Sequence, residues 1–390
     1  MTAVDAPDEL EPTPAEPATT GSHGTPLPVD PGDPTGATEP GTPTGLAALA
    51  KNRIVRTTVR WVVLVAATLG IFCAFLLAKG AQPGEVLRSM WETSLGSSDS
   101  VGETFIRATP LLLAALAAAV PARAGLFNLG AEGQLLLGAV GAFVAANALD
   151  GAAGTVVTLV CMGIGGAIFG AAWAAIPAVL KVVTRTNEAI SSLLLNYIAG
   201  IVITWLCFER WKDPTSLGQA YSRELEGPER FPIIWGNRVH VGIFVGLVAA
   251  LVLWAVLRWS TWGFKLKVLG GNPSAARRAG LAVGGLSIAA MTVGGAMAGL
   301  GGMVEVAGTE GRLRPELLAG YGFIGFLATW LARHDPLRII GAAVLLGAIA
   351  VGGSGLKITA GLSGGAVNIL MALVLFAVLG WGRTSEVEGS

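Results

Sequence analysis

The stretch Gly125–Gly141, GLFNLGAEGQLLLGAVG, sets the amide of Asn128, the carboxylate of Glu132 and the amide of Gln134 among five glycines. Apolar runs lie on either side, Pro110–Val120 and Leu135–Ala146. A bilayer solvates no such groups, so they must face a protein interior or a water-filled path. A helix beginning near Phe127 puts Asn128 and Glu132 four apart, on one face. Pro121, Gly125 and Gly130 argue against one continuous helix, and the stretch reads as a broken crossing. Polar breaks of this kind are where transporters hold or pass substrate. A plainer role stands beside that one: Glu132 near a helix end, pairing or capping there.

The elements that must position these groups are apolar. Of 390 residues 53% are hydrophobic and 13% charged, a balance that belongs to a polytopic, all-α membrane protein. Apolar runs occur near 61–78, 105–121, 127–148, 153–180, 188–208, 239–258, 281–304, 317–332, 337–354 and 362–381, about ten transmembrane helices. Those at 105–121, 317–332 and 337–354 are short enough to be half-helices or tilted pieces. Glycines at GxxxG spacing, Gly166–Gly170 and Gly295–Gly299, suit close helix approach, although 55 glycines make the pattern common by chance. Residues 1–50 are rich in Pro, Thr, Gly and acids, contain no aromatic residue and no Lys or Arg, and read as a disordered tail. That leaves 51–384 as the transmembrane domain.

Charge sets the orientation. Lys51, Arg53, Arg56 and Arg60 lead into the first run, and together with the predicted inner segments they account for 15 of the 26 basic residues. The long segment 209–238 and the segment Glu305–Glu316 mix acids with bases and read as outer loops. Both termini are therefore expected in the cytoplasm. Formal net charge is zero, so no global field argues for nucleic acid. Cys73, Cys161 and Cys207 sit in apolar runs without CxxC spacing, and three scattered histidines offer no metal motif. Neither a metal nor a cofactor is expected.

The loop 259–280 is the most informative soluble segment. Gly271, Asn272 and Pro273 read as a turn and helix start, Ala275, Ala276, Arg277 and Arg278 as a short basic helix, and Gly280 as its stop. Such a helix across the inner face can dock a soluble partner. A loop that only sets topology would explain the charge and not this punctuation.

GLFNLGAEGQ (Gly125–Gln134), TNEAISSLLLNYIAG (Thr186–Gly200) and GGNPSAARRAGL (Gly270–Leu281), in that order, resemble the permease subunit of a bacterial ABC importer. The likeness is to the branch that handles nucleosides and simple sugars, and it covers roughly 60–380. The resemblance implies alternating access in the cell membrane with membrane lipid around it. It also implies three protein partners: a cytoplasmic ATP-binding subunit docked at 271–280, a second permease subunit that is a paralogue, and an extracytoplasmic substrate-binding protein. The absence of GxxxxGK[ST] agrees, since no phosphate-cradling loop is present. Substrate contacts are expected from Phe127, Asn128, Glu132, Gln134, Asn196 and Asn368. For Asn196 the alternative is an interhelical hydrogen bond. Asn187 and Glu188 read as a helix cap.

Rival classes fare less well. Gly361–Gly365 fits GxSxG, but no histidine follows Ser363 and the strand–turn–helix context of a hydrolase is missing. An ion-driven secondary transporter would share the glycine-rich broken helices, yet intramembrane carboxylates are scarce. No filter-like repeat suggests a channel.

Overall fold

The computed structural model describes residues 53–149, 152–216, 218–236, 238–354, 356, 365–374 and 376. The tail expected at 1–50 and Ser363 lie outside them. Helices dominate: α1 (Arg53–Ala78), α2 (Pro83–Leu95), α3 (Ser98–Arg123), α4 (Ala131–Leu149), α5 (Thr155–Thr184) and α6 (Glu188–Trp205). After a two-stranded hairpin, β1 (Ile233–Trp235) and β2 (Val239–His240), come α7 (Gly242–Trp259), α8 (Thr261–Gly271), α9 (Pro273–Arg278) and α10 (Val283–Val304). α11 (Tyr321–Leu331), α12 (Pro336–Ser354) and the apolar helix Gly365–Val374, here α13, complete the described elements. Seven of these helices are long and apolar enough to cross a membrane, or eight if the bent pair Val62–Ala78 and Pro83–Leu95 is one span. The runs near 317–332 and 362–381 correspond to the two shorter helices, α11 and α13.

α3 is the axis. It runs 26 residues through Pro110 and Pro121, not the shorter run the apolar count suggests, and 83% of its apolar window is buried. Neighbouring helices shield the backbone that the prolines free. α10, α12, α11 and α7 pack on it. α2, which hydropathy does not reveal, places Val86 and Met90 four apart on its buried face and lays Met90 against Gly352 at the end of α12.

The closest packing joins α4, α5 and α10. Gly166 and Gly170 of α5 face Gly299 and Gly295 of α10, and a methyl group on any of the four would overlap facing backbone. Gly138 of α4 meets Gly299 as well, and Gly302 of α10 abuts the Leu135 carbonyl. Both GxxxG segments therefore serve one crossing within the chain. Helix–helix association in lipid gains little from water exclusion, so this dispersion contact is what holds the three helices together.

Past Val304 the helix widens into a π turn, Glu305–Glu310, ending at Gly311 in the left-handed region (φ 73°). The segment expected as an outer loop from Glu305 is thus, in its first half, a continuation of α10, with Glu305 buried. The chain then turns through Arg314–Gly320, with Glu316 and Leu318 both at φ 62°. It reaches Tyr321 inside the bundle, where Gly322 lies against the backbone of Glu132.

The connections sort into two ends. Arg123 donates to the His334 carbonyl (3.2 Å from Nη2), and Gly125 packs on Gly270. At the other end Arg238 pairs with Glu103 (3.0 Å), Arg223 with Asn147 and Glu229, and Ser222 with Leu313.

Gly299→Ala should lower the thermal midpoint by the equivalent of about 1–3 kcal/mol of overpacking. Gly341→Ala, where an added methyl meets no atom within 4 Å, should leave it unchanged or slightly raised. Equal midpoints for the two variants in detergent would contradict the crossing.

Candidate translocation site

α4 begins at Ala131, not near Phe127, so Asn128 and Glu132 do not share a helix face. Asn128 lies in the non-helical connection 124–130, where Gly125 sits at φ 74°. Two amides and three hydrogen bonds from α6 hold that connection open. Asn128 Nδ2 donates to the Ala117 carbonyl (3.1 Å) and to Gln134 Oε1 (2.9 Å), while Gln134 Nε2 returns a bond to Asn128 Oδ1 (2.9 Å). Both side chains are buried, with their hydrogen-bonding groups turned toward each other. Phe127 is 47% exposed and stacks on Trp330 at 6.1 Å.

From α6, Glu188 Oε1 accepts from Phe127 N–H (3.3 Å) and Ser192 Oγ from Leu129 N–H (3.2 Å). Asn196 Nδ2 donates to the Leu129 carbonyl and its Oδ1 accepts from Gly133 N–H, each at 2.8 Å. Asn187 caps α6 as expected, accepting from Ala189 and Ile190. Asn196 thus makes the interhelical bond that was its alternative reading. It also lines a cavity of about 510 Å³ with Glu132, Tyr197, Trp205, Glu316 and Ala319. Glu132 Oε2 is buried and has no hydrogen-bond partner among the described residues.

A second cavity, of about 250 Å³, is lined by Glu103, Arg107, Ala319, Tyr321 and Asn368. Arg107 Nη1 donates to the Tyr321 hydroxyl (2.9 Å) and its Nε lies 3.3 Å from Glu103. Ala319 borders both cavities, so the non-helical Arg314–Gly320 segment is their shared wall. Irregular backbone at membrane depth survives only where it is covered by protein or lines such a cavity. Carboxylates, amides, hydroxyls and the Trp205 indole here can bind a polar solute with a flat face.

Sequence reading missed Glu103, Arg107, Glu316 and Tyr321. Glu103 and Arg107, four apart and entering an apolar run, carried a readable signal; Glu316 did not, because its loop position hid the inward turn.

At the end of the bundle that holds Arg123 and Gly270, α9 is short and exposed apart from partly covered Ala275 and buried Ala276. Asn272 caps it through Ser274 and Ala275, Pro273 opens it, Arg277 and Arg278 face outward, and Gly280 stops the turn at φ 77°. Gly271 is exposed beside it, and Gly270 touches Gly125. The three motifs, far apart in the chain, therefore meet. Residues 100–379 match the family described as branched-chain amino acid transport system / permease component.

The chain belongs to this permease family. It is 33% identical over 332 residues to the glucose ABC transporter permease protein TsgB13 of Haloferax volcanii (82% of this chain, 86% of that one). It is 33% identical to the guanosine permease protein NupP of Bacillus subtilis (81% and 91%) and 28% to the nucleoside permease protein NupB of Lactococcus lactis (78% and 85%). In each of these three organisms a second permease also matches, at 25–29% identity. Family and apolar helices together make this a multi-pass membrane protein.

The end that holds Arg223 and Arg238 titrates. Arg223 holds Glu229 in a bidentate pair (2.7 and 2.8 Å), keeping its carboxyl below the usual range. His240, buried and stacked on Phe231, is pushed down to about 4 by burial and then by Arg230 and Arg238. The folded form holds it neutral, so its contribution is full above the unfolded value of 6.5 and is lost as pH falls toward about 4. Thermal melts from pH 7 to 4 should show falling stability, and His240→Gln should flatten the fall between pH 6.5 and 4. An unaltered pH profile in that variant would remove His240 from the account.

Proposed function

We propose that this chain is the membrane-spanning permease subunit of an ATP-driven importer and forms the translocation path for nucleosides by alternating access. The observation that carries this reading is the cavity of Glu132, Asn196, Tyr197 and Trp205, set one turn from a break that touches the exposed α9 loop. A nucleoside offers hydroxyls and base edges to the carboxylate and amide and a flat ring to the aromatic side chains. Phe127 and Asn368 extend the path on either side. In this reading Asn128 and Gln134 hold the break open from behind it. A simple-sugar importer is the second reading, favoured by the likeness to the glucose permease.

The remaining parts follow the same account. The domain 51–384 crosses the membrane with ten helices, short α11 and α13 included, and both termini are cytoplasmic. The segment 209–238 faces the outside, where an extracytoplasmic binding protein delivers substrate. The loop 259–280 receives a separate ATP-binding subunit on Gly271–Gly280, so ATP hydrolysis lies off this chain. A paralogous permease completes the path, in keeping with the paired matches in three organisms.

Uptake of radiolabelled nucleosides, with ribose in parallel, tests this in cells lacking the gene. Nucleoside uptake should be lost, restored by wild type, and remain about tenfold or more below it with Glu132→Ala at normal abundance, the cost of one lost charged hydrogen bond. Loss of ribose uptake alone would move the chain to the sugar branch. Normal entry of both labels would overturn the reading.

A further inference from the structure

The inner end of the bundle contains a cavity of about 320 Å³ that plays no part in the path described above. Arg123 at the end of α3, Trp254 and Arg258 at the end of α7, Phe264 and Lys267 of α8, and Asp335 before α12 line it. Three cations and one carboxylate thus share its wall. That carboxylate is already engaged, since Asp335 Oδ1 accepts from the backbone N–H groups of Leu337 and Arg338 (3.1 and 3.2 Å) and caps α12. Arg123 spends Nε and Nη2 on the His334 carbonyl, and Arg258 lies over the Trp254 ring at 5.8 Å. Among the described residues none of the three cations forms an ion pair. The site is therefore short of negative charge, and it is concave.

Positive residues that only set topology need no common focus. Arg277 and Arg278, exposed on the short helix α9, line no such cavity. Here the cations share a cavity with an aromatic wall. Trp259 and Phe264 beside it are 70% and 67% exposed, the placement of side chains at a membrane interface. Above it α7 presents Phe244, Val248, Leu251 and Val252 outward as an unbroken apolar strip.

We propose that this cavity binds the headgroup phosphate of an anionic phospholipid of the inner leaflet, whose acyl chains run along that strip of α7. Arg258 offers a forked donor set to the phosphate and Lys267 a mobile point charge. A lipid there braces α8, the helix that carries α9, against α7 and the start of α12. The lipid's role is independent of which solute is carried.

The test uses the assembled importer in nanodiscs of mixed phosphatidylglycerol and phosphatidylethanolamine, with retained lipid counted by native mass spectrometry. Wild type should retain phosphatidylglycerol, and Arg258→Gln with Lys267→Gln should reduce retention by about fivefold for each cation removed. Lys265→Gln, on the same helix but outside the cavity's lining, should retain it as wild type does. If the double variant fails to accumulate, Lys267→Gln alone carries the comparison. Equal retention in wild type and variant would overturn the proposal. So would stabilisation by inorganic phosphate with no lipid retained, or crosslinking of Lys267 to the ATP-binding subunit in lipid-free complexes.

Discussion

The structure depends on the crossing of α4, α5 and α10 at Gly138, Gly166, Gly170, Gly295 and Gly299. Lipid tails are as apolar as leucine, so burying a side chain from lipid gains little, and helices must find their attraction in contact itself. Five positions without a β-carbon let three backbones touch. That contact fixes the height of α4 against α10, and with it the height of Glu132 against the turn at Glu316. The π turn after α10 then delivers Gly311–Gly320 into the bundle at the one level where α4 starts.

The start of α4 is itself a balance of hydrogen bonds rather than of helix propensity. The non-helical 124–130 connection leaves backbone N–H and C=O groups that helix formation would otherwise satisfy. Glu188, Ser192 and Asn196 of α6 replace those partners, and the Asn128–Gln134 pair secures the other side. Each bond is worth about 1 kcal/mol net, whereas an orphaned group at this depth costs about 1–3 kcal/mol. Such an arrangement is stable as a whole and costly to break in part, which suits a two-state element. Gly270, at the end of α8 and just ahead of α9, lies directly against it at Gly125.

Local features were legible in the sequence because their causes are local. Asn187 and Asn272 cap the helices they precede through bonds two and three residues ahead, and Gly280 stops a helix by its own backbone freedom. The apolar runs marked most helices for the same reason. What sequence could not show was set by distant residues. Phe127–Gly130 is as compatible with helix as with extended chain until Ser192 and Glu188 are brought alongside. The two GxxxG segments carry no label saying that each is the other's partner. α2 escaped notice because its buried face is narrow and its remainder polar. Glu316 read as an outer-loop acid, since only the fold reveals that the chain turns inward at two left-handed residues.

The central claim is that the wall formed by Glu132, Asn196 and Glu316 faces the moving substrate. Thiol labelling measures this most directly, in the assembled importer with Cys73, Cys161 and Cys207 replaced and one probe introduced as Glu316→Cys. An impermeant reagent added from outside should label that position, a transported nucleoside should slow the labelling, and trapping the ATP-bound state should change its rate. Labelling at the same rate with and without every transported solute, and in both nucleotide states, would contradict the account.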